Sequence, residues 1–531
     1  MRKVEIYDTT LRDGTQAEEL NLTTEDKLLI AHRLDDLGLH YIEGGWPGSN
    51  PTDKHFFAEL VSHSFKNAKI AAFGSTHHPG NTAEKDANLR ALVDAATEVV
   101  TIFGKSWDLH AKIALKISLE RNIELIRDSI AFLKSKVPTV FYDGEHFFDG
   151  YKADPQFALA CARAAAEAGA DCIIPCDTNG GSLPREIAEI MRAVKQALPD
   201  VALGIHTHND SELAVAGALA AVDEGASQVQ GTINGFGERC GNANLCSIIP
   251  NLELKLGVET IGSDNLQKLT RTASYVTEVA NLRPFLRQPF VGSAAFAHKG
   301  GIHVSAVMKD SRTYEHIPPA SVGNEQRVLL SDQAGKSNII FKAQSLGYVL
   351  KKNDPRLPGL LACIKEREAI GFEYSVAEAS FELMLHELLG SPKEFFSFKN
   401  FFVVDSKREQ DNEPITEATV IVEVKGNEEH TAACGNGPVN ALDLALRKGL
   451  QTFYPRISEV RLKDFKVRVV AGAQRDTGGT ASYVRVLIES SDGAHRWTTV
   501  GVSHNIIEAS WQAVVDSYNY KLLLDDNSLR P

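Results

Sequence analysis

Short runs rich in β-branched residues alternate, over roughly the first 255 positions, with longer stretches of helix-like apolar spacing. This is the pattern of repeated strand–helix units around a parallel sheet. Eight runs qualify as strands, at residues 4–8, 41–44, 70–74, 99–103, 139–142, 172–175, 203–206 and 228–232. The intervening segments 23–37, 155–168, 184–198 and 212–224 read as helices, several opened by Thr, Asp or Pro in the manner of N-terminal caps. Eight units in this length match a closed (β/α)8 TIM barrel. An open doubly wound sheet would fit the alternation, but its first turn needs a glycine-rich phosphate loop, and residues 8–14 (DTTLRDG) do not form one. The expected class is α/β, with a catalytic barrel over residues 1–280.

Beyond residue 280 the alternation stops. Residues 281–392 carry Pro284, Pro289, Pro318, Pro319, Pro355 and Pro358 among short helical patches, of which 377–389 is amphipathic. We expect a helical linker region that packs on something, because it is too apolar for a solvated tether. Residues 393–531 contain a weak duplication. Strand-like 417–424 and 430–434 lead into helix-like 438–453, and strand-like 481–490 and 496–502 lead into 505–521, with a further strand candidate at 465–470. Aligning Gly435 with Gly501 gives an offset of 501 − 435 = 66. The expectation is an α+β domain of two strand–strand–helix units, regulatory or dimerising, since such units leave open sheet edges.

Composition narrows the chemistry. At 531 residues with 43% hydrophobic and 24% charged positions, the chain can bury large cores. Its net charge of −13 argues against a nucleic-acid partner. Seven cysteines without a C-x-x-C pair suggest a reducing compartment. The first residues lack the apolar run of an export signal, and no 18 consecutive apolar residues occur. We therefore expect a cytoplasmic protein with no membrane partner.

Polar residues gather at the predicted strand ends. His206 and His208 follow strand seven at spacing i, i+2, so both imidazoles face one way, as two ligands of one divalent metal would. Strand one ends in Arg12, Asp13 and Gln16, strand two in Glu43, strand five in Asp143, Glu145 and His146, and strand six in Asp177 and Thr178. Strand eight leads into residues 235–242 (GFGERCGN), whose glycines let backbone approach a ligand while Glu238, Arg239 and Asn242 supply polar contacts. In a barrel all of these converge on one mouth. Asp13, His206, His208 and Asn242 offer a mixed N/O shell suited to Mn, Mg or Zn with an open position. Such a metal would polarise a 2-oxo acid, Arg12 could offset charge on its oxygen, and a nearby carboxylate or imidazole could move a carbon-bound proton. Condensation, or its reversal as a C–C lyase, follows.

Three motifs, D-x-TLRDG-x-Q at residues 8–16, H-x-HND at 206–210 and G-x-GER-x-GN at 235–242, together resemble the 2-isopropylmalate, homocitrate and citramalate synthase family. The resemblance extends to Gly301-Ile302-His303 in the linker and to the duplicated C-terminal domain. Residues 43–53 and 300–306 look like the citramalate-forming branch, and Val304-Ser305-Ala306 departs from the Asp-Gly of isopropylmalate synthases. What the resemblance implies is a Claisen-type condensation of pyruvate with acetyl-CoA and water. It implies a metal on Asp13, His206, His208 and Asn242, Arg12 polarising the 2-oxo acid, and Thr178 holding its carboxylate. Gln16 and Glu43 would shape the pocket, and His303 with Tyr314 would reach the acetyl-CoA end from the linker. The base is left as Glu145 or His303. An amino-acid feedback inhibitor, isoleucine or leucine, and a homodimer are implied as well. Rival readings are a synthase using 2-oxoisovalerate or 2-oxoglutarate, a lyase of the same superfamily, and an amino-acid sensor with a dead barrel.

Overall fold

The computed structural model describes residues 2–329, 335–389, 393–409, 413–470 and 482–526. The chain forms two compact units, Met1–Phe296 with His316–Glu325, and Ala297–Glu315 with Gln326–Pro531.

In the first unit eight parallel strands close into a barrel in sequence order: β1 (Glu5–Asp8), β2 (Tyr41–Gly45), β3 (Lys69–Ser75), β4 (Val99–Lys105), β5 (Thr139–Glu145), β6 (Cys172–Asp177), β7 (Ala202–Thr207) and β8 (Gln228–Gly231). β8 pairs with β1, so no edge remains. Each expected strand is present, and β3 to β7 run one to three residues further toward the mouth than their apolar runs, because their last residues are polar.

Local chemistry starts the outer helices. Thr23 and Asp26 cap each other at helix Thr24–Asp36, and Pro155 and Pro184 open Pro155–Glu167 and Pro184–Ala197. Two cores result. One lies between strands and helices, with Ile6, Ile42, Val100, Val140, Ile173, Ile205 and Val229 facing outward. A smaller one of Tyr7, Ala71, Val99, Phe141, Cys172, Ile174 and Cys176 fills the barrel below its mouth.

Residues 281–392 are shared between the two units. The second unit begins with β9 (Ala297–His298), parallel to β10 (Arg327–Val328), and helices Gly301–Val307, Lys336–Ser345, Leu357–Ala369 and Glu378–Leu389. Two antiparallel sheets follow. The first is β11 (Ser397–Ser406), β12 (Ile415–Val424) and β13 (Asn427–Gly435), with helix Pro438–Gln451. The second is β14 (Arg461–Val470), β15 (Tyr483–Ser491) and β16 (Arg496–Ser503), with helix Ile506–Asp525. Ala481, the first residue of one expected strand, lies outside the described residues.

The duplication is there, and each copy carries a third strand ahead of the expected pair. β11 was not anticipated because its side chains are mostly exposed, and its inward residues Phe401 and Val403 are masked in the sequence by the equally apolar outward Phe402 and Val404. The offset needs correction. Thr431 Oγ1 donates to Ala445 O at 2.8 Å, and Thr499 Oγ1 donates to Ala513 O at 2.7 Å, an offset of 499 − 431 = 68. The partners agree, since Val420 faces Thr431 and Ile488 faces Thr499. Offsets of 66 and 68 keep the same strand parity, so alternation could not separate them.

Among the described residues no helix is long and apolar enough to cross a membrane.

Candidate active site

The chain leaves β1 through a tight turn held by Asp8, whose carboxylate accepts from Thr10 N at 2.9 Å and Thr10 Oγ1 at 2.8 Å. Burial pushes the Asp8 carboxyl up to about 7. The turn sets Arg12 and Asp13 over the barrel mouth. Arg12 Nε donates to Glu43 Oε2 at 2.6 Å, and the guanidinium stacks on Phe73 with its carbon 3.7 Å from the ring centroid. Fully buried Glu43 also accepts from Tyr7 OH at 2.8 Å and from Thr9 Oγ1. Arg12 is thus fixed by a carboxylate and a ring before any substrate arrives.

Asp13, His206 and His208 are all buried and form the one group of three metal-ligand side chains found among the described residues. His206 Nε2 and His208 Nε2 are 3.2 Å apart, and Asp13 Oδ2 lies 3.5 and 3.8 Å from them. Burial, with His208 nearby, pushes His206 down to about 4, and burial lowers His208 too, so both imidazoles are uncharged near neutrality. Burial alone would raise Asp13, but the Arg12 guanidinium, joined by the two imidazoles once they protonate in the acid range where the carboxyl titrates, outweighs it and holds Asp13 below its usual range. Asn242 joins through a backbone bridge to His208. Asp13 Oδ1 and Asn242 Oδ1 are buried without a hydrogen-bond partner. Two neutral imidazoles and two orphaned oxygens suit a divalent cation.

The loop carrying Asn242 explains its glycines. Gly237 has φ +154, and a Cβ there would lie 2.2 Å from Asn242 Nδ2. At Gly241, φ +88, it would lie 2.0 Å from Gly235 O. No side chain fits at either position.

The cavity at the mouth, about 220 Å3, is lined by Arg12, Asp13, Gln16, Glu145, Thr178, His206 and His208 together with Asp143, Cys176 and Glu238. An aromatic wall completes it. Phe73 and Phe103 stack at 5.6 Å, and Trp46 meets both edge-on at 5.9 and 5.7 Å. Thr178 Oγ1 accepts from His146 N at 2.9 Å, which leaves its own proton free to donate.

Nine expected residues therefore gather in the first unit. Seven line the cavity, Glu43 stands behind Arg12, and Asn242 stands beside His208. His303 and Tyr314 belong to the second unit, where both are exposed and their rings stack at 4.2 Å.

Sequence reasoning missed four contributors. Trp46, Phe73 and Phe103 carry no polar signal, and only their inward position at the C-terminal ends of adjoining strands would have set them apart. Gln230 sits within β8, where its Oε1 meets His206 Nδ1 at 3.0 Å and its Nε2 donates to Asp143 Oδ1 at 3.1 Å.

Family models match almost end to end. An HMGL-like model matches residues 3–276, a homocitrate synthase post-HMGL domain-like model matches 290–367, and the LeuA allosteric (dimerisation) domain model matches 375–522. A protein named (R)-citramalate synthase from Geobacter sulfurreducens is 57% identical over 522 residues, covering 98% of each chain. Its namesake from Aquifex aeolicus is 52% identical over 99% of this chain and 98% of the relative. A 2-isopropylmalate synthase from Methanocaldococcus jannaschii is 31% identical over 97% of this chain and 94% of its own.

Proposed function

The chain belongs to the HMGL-like family and within it to the 2-isopropylmalate, homocitrate and citramalate synthases, and from that premise we infer that it condenses pyruvate with acetyl-CoA and water to (R)-citramalate and CoA. The geometric observation that carries the reading is the joining of Arg12 and the Asp13–His206–His208 group to a wall of Trp46, Phe73 and Phe103 in one cavity of about 220 Å3. Such a cavity suits a small acceptor.

Asp13, His206, His208 and Asn242 would hold Mn2+, Mg2+ or Zn2+, which when bound supplies Lewis-acid polarisation of the acceptor ketone. The protein's own groups do the rest. Arg12, locked by Glu43 and Asp13, faces the oxygen that gains charge as the new C–C bond forms. Thr178 donates its free proton to the acceptor carboxylate, and Gln16 lines and shapes the same cavity. Glu145 accepts a proton from the acetyl methyl group, or His303 does so with Tyr314 at the acetyl-CoA end.

The second unit reads as a regulator and a pairing surface. The family description of residues 375–522 supports this, as do two sheets whose first strands expose Phe402, Val404, Val467 and Val469. Isoleucine or leucine is the inhibitor, the protein is a homodimer, and the compartment is the cytoplasm.

The test is CoA thiol release from acetyl-CoA with pyruvate, 2-oxobutanoate, 2-oxoisovalerate and 2-oxoglutarate, with and without chelator. Chelator-sensitive release led by pyruvate is expected. Preference for 2-oxoisovalerate would make the chain an isopropylmalate synthase, and no release at all would sink the condensing reading.

A further inference from the structure

β4 and β5 pair in register, and their inward side chains stack in rungs. Thr101 faces Phe141, Phe103 faces Asp143, and on the last rung Lys105 faces Glu145. Phe103, Asp143 and Glu145 line the cavity. Lys105 Nζ donates to Glu145 Oε2 and stands 5.2 Å from the Phe103 centroid, so its ammonium sits at the cavity edge. An ammonium carries three donors, and Glu145 takes one of them. The neighbouring cations are engaged elsewhere. Arg12, held by Glu43 and Asp13, serves the acceptor oxygen, and Arg239 is bound by Asp210. The backbone behind Lys105 is also fixed, because its carbonyl accepts from Asn122 Nδ2 at 2.8 Å and Glu145 O accepts from Ser106 N at 3.1 Å.

We propose that Lys105 is a catalytic residue that donates a hydrogen bond to the thioester carbonyl oxygen of acetyl-CoA while the neighbouring carboxylate removes the methyl proton. The inference rests on the condensing reading given above and on Glu145 as the base. An acetyl group presents its methyl hydrogen and its carbonyl oxygen on one small planar fragment, so base and donor must stand side by side, as the last rung of a parallel ladder places them. The proton passes from the methyl carbon to a Glu145 oxygen, and the C–H electron pair moves into the C–C bond as the C=O pair moves onto oxygen. That oxygen's new charge meets Lys105 N–H. The enolate carbon then attacks the acceptor carbonyl carbon, the thioester C=O re-forms, and the acceptor oxygen takes the charge beside Arg12. Lys105 and Arg12 thus serve the two oxygens that carry charge in turn.

The full-length metal-loaded protein tests this with Lys105→Met and Lys105→Gln, whose side chain at 21% exposure is replaceable without opening a core. A thermal melt of each variant checks that it folds. CoA release is measured alongside inhibition by carboxymethyl-CoA, whose carboxylate stands in for the enolate oxygen. Lys105→Met should lower kcat by about 10²–10³-fold and leave the KM for pyruvate within about threefold. It should also weaken carboxymethyl-CoA by at least about tenfold, more than it changes the KM for acetyl-CoA. Lys105→Gln, which keeps a neutral donor, should fall between.

Unchanged kcat overturns the proposal. So does a lowered kcat with unchanged carboxymethyl-CoA affinity, which would make Lys105 only a support for Glu145. A native protein that releases no CoA with any 2-oxo acid fails at the reading beneath, and the native control reports that separately.

Discussion

At the scale of single residues, the site is governed by what stands behind the groups that touch ligand. Gln230 is fully buried, and its amide orientation follows from its two neighbours. Nε2 donates to the Asp143 carboxyl, so Oε1 must accept from His206 Nδ1–H, which turns the bare Nε2 of that imidazole toward Asp13. Gln230→Ala releases the tautomer and should weaken Mn2+ binding by about 10–100-fold, read by calorimetric titration of the metal-free protein. An unchanged affinity would mean that strand geometry alone orients His206. Trp46 acts by volume instead. Its indole donates to Asn88 Oδ1 at 2.6 Å and caps the Phe73–Phe103 stack. Trp46→Leu should raise the kcat/KM ratio of 2-oxoisovalerate to pyruvate by about 10–200-fold, the range an apolar pocket gains per methylene-sized difference. Loss of both activities in equal measure would assign Trp46 to packing.

At the scale of elements, the barrel was legible because its signals are redundant, while the site was legible only where it used rare side chains. Each strand announced itself by a β-branched run, several helices by a capping residue or an opening proline, and eight repeats pointed to a closed barrel. His206, His208 and the glycine loop stood out because such residues are unusual at strand ends. Gln230 and Lys105 did not, since a Gln inside a strand and a Lys at its end are ordinary until register shows what they face. The true offset of the duplication was hidden because parity survives a two-residue shift. Joins between elements carry their own pH dependence. His40 precedes β2, and its Nδ1 accepts from Ile6 N of β1 at 3.0 Å, which only a neutral ring can do. Burial, with Lys3 adding to it, pushes His40 from 6.5 down to about 4. Between those values the unfolded chain binds more protons than the folded one, so this contribution is complete above pH 6.5 and is lost as pH falls toward 4. His40→Asn keeps an acceptor without a titrating ring, and the melting temperature of its barrel should fall less steeply from pH 7 to 5 than that of the native chain. Parallel slopes would remove His40 from the account.

At the scale of the whole molecule, a chain of net charge −13 must keep its acidic groups from repelling one another, and the second unit does so with one buried cation. Lys521 is fully buried in helix Ile506–Asp525. Its ammonium meets Glu459 at 3.0 Å, Asp492 at 2.8 Å and Asp525 at 2.9 Å. Glu459 lies just before β14, Asp492 lies in the turn between β15 and β16, and Asp525 ends the helix itself, so one side chain ties the second copy of the repeat together. Burial would raise Asp492, but Lys521 and the N–H groups of Ala494 and His495 outweigh it and hold the carboxyl well below its usual range. A carboxyl depressed in the folded state adds stability above the unfolded value near 4, and that stability drains away as pH falls below it. Lys521→Met takes the ammonium from the buried Asp492 side chain, while Arg456 still pairs with Glu459 at 3.1 Å and Asp525 at 2.7 Å, and it should cost about 1–3 kcal/mol in the second unit at pH 7, measured by denaturant unfolding. The loss should shrink on acidification toward pH 4, because protonation then discharges the Asp492 carboxylate that the mutation left without its cation. Mn2+ binding at Asp13, His206 and His208 should stay at the native level, since those ligands belong to the first unit. A loss of less than about 1 kcal/mol would place the cluster with the solvent-screened ion pairs of the surface and leave the repeat held by its apolar core alone.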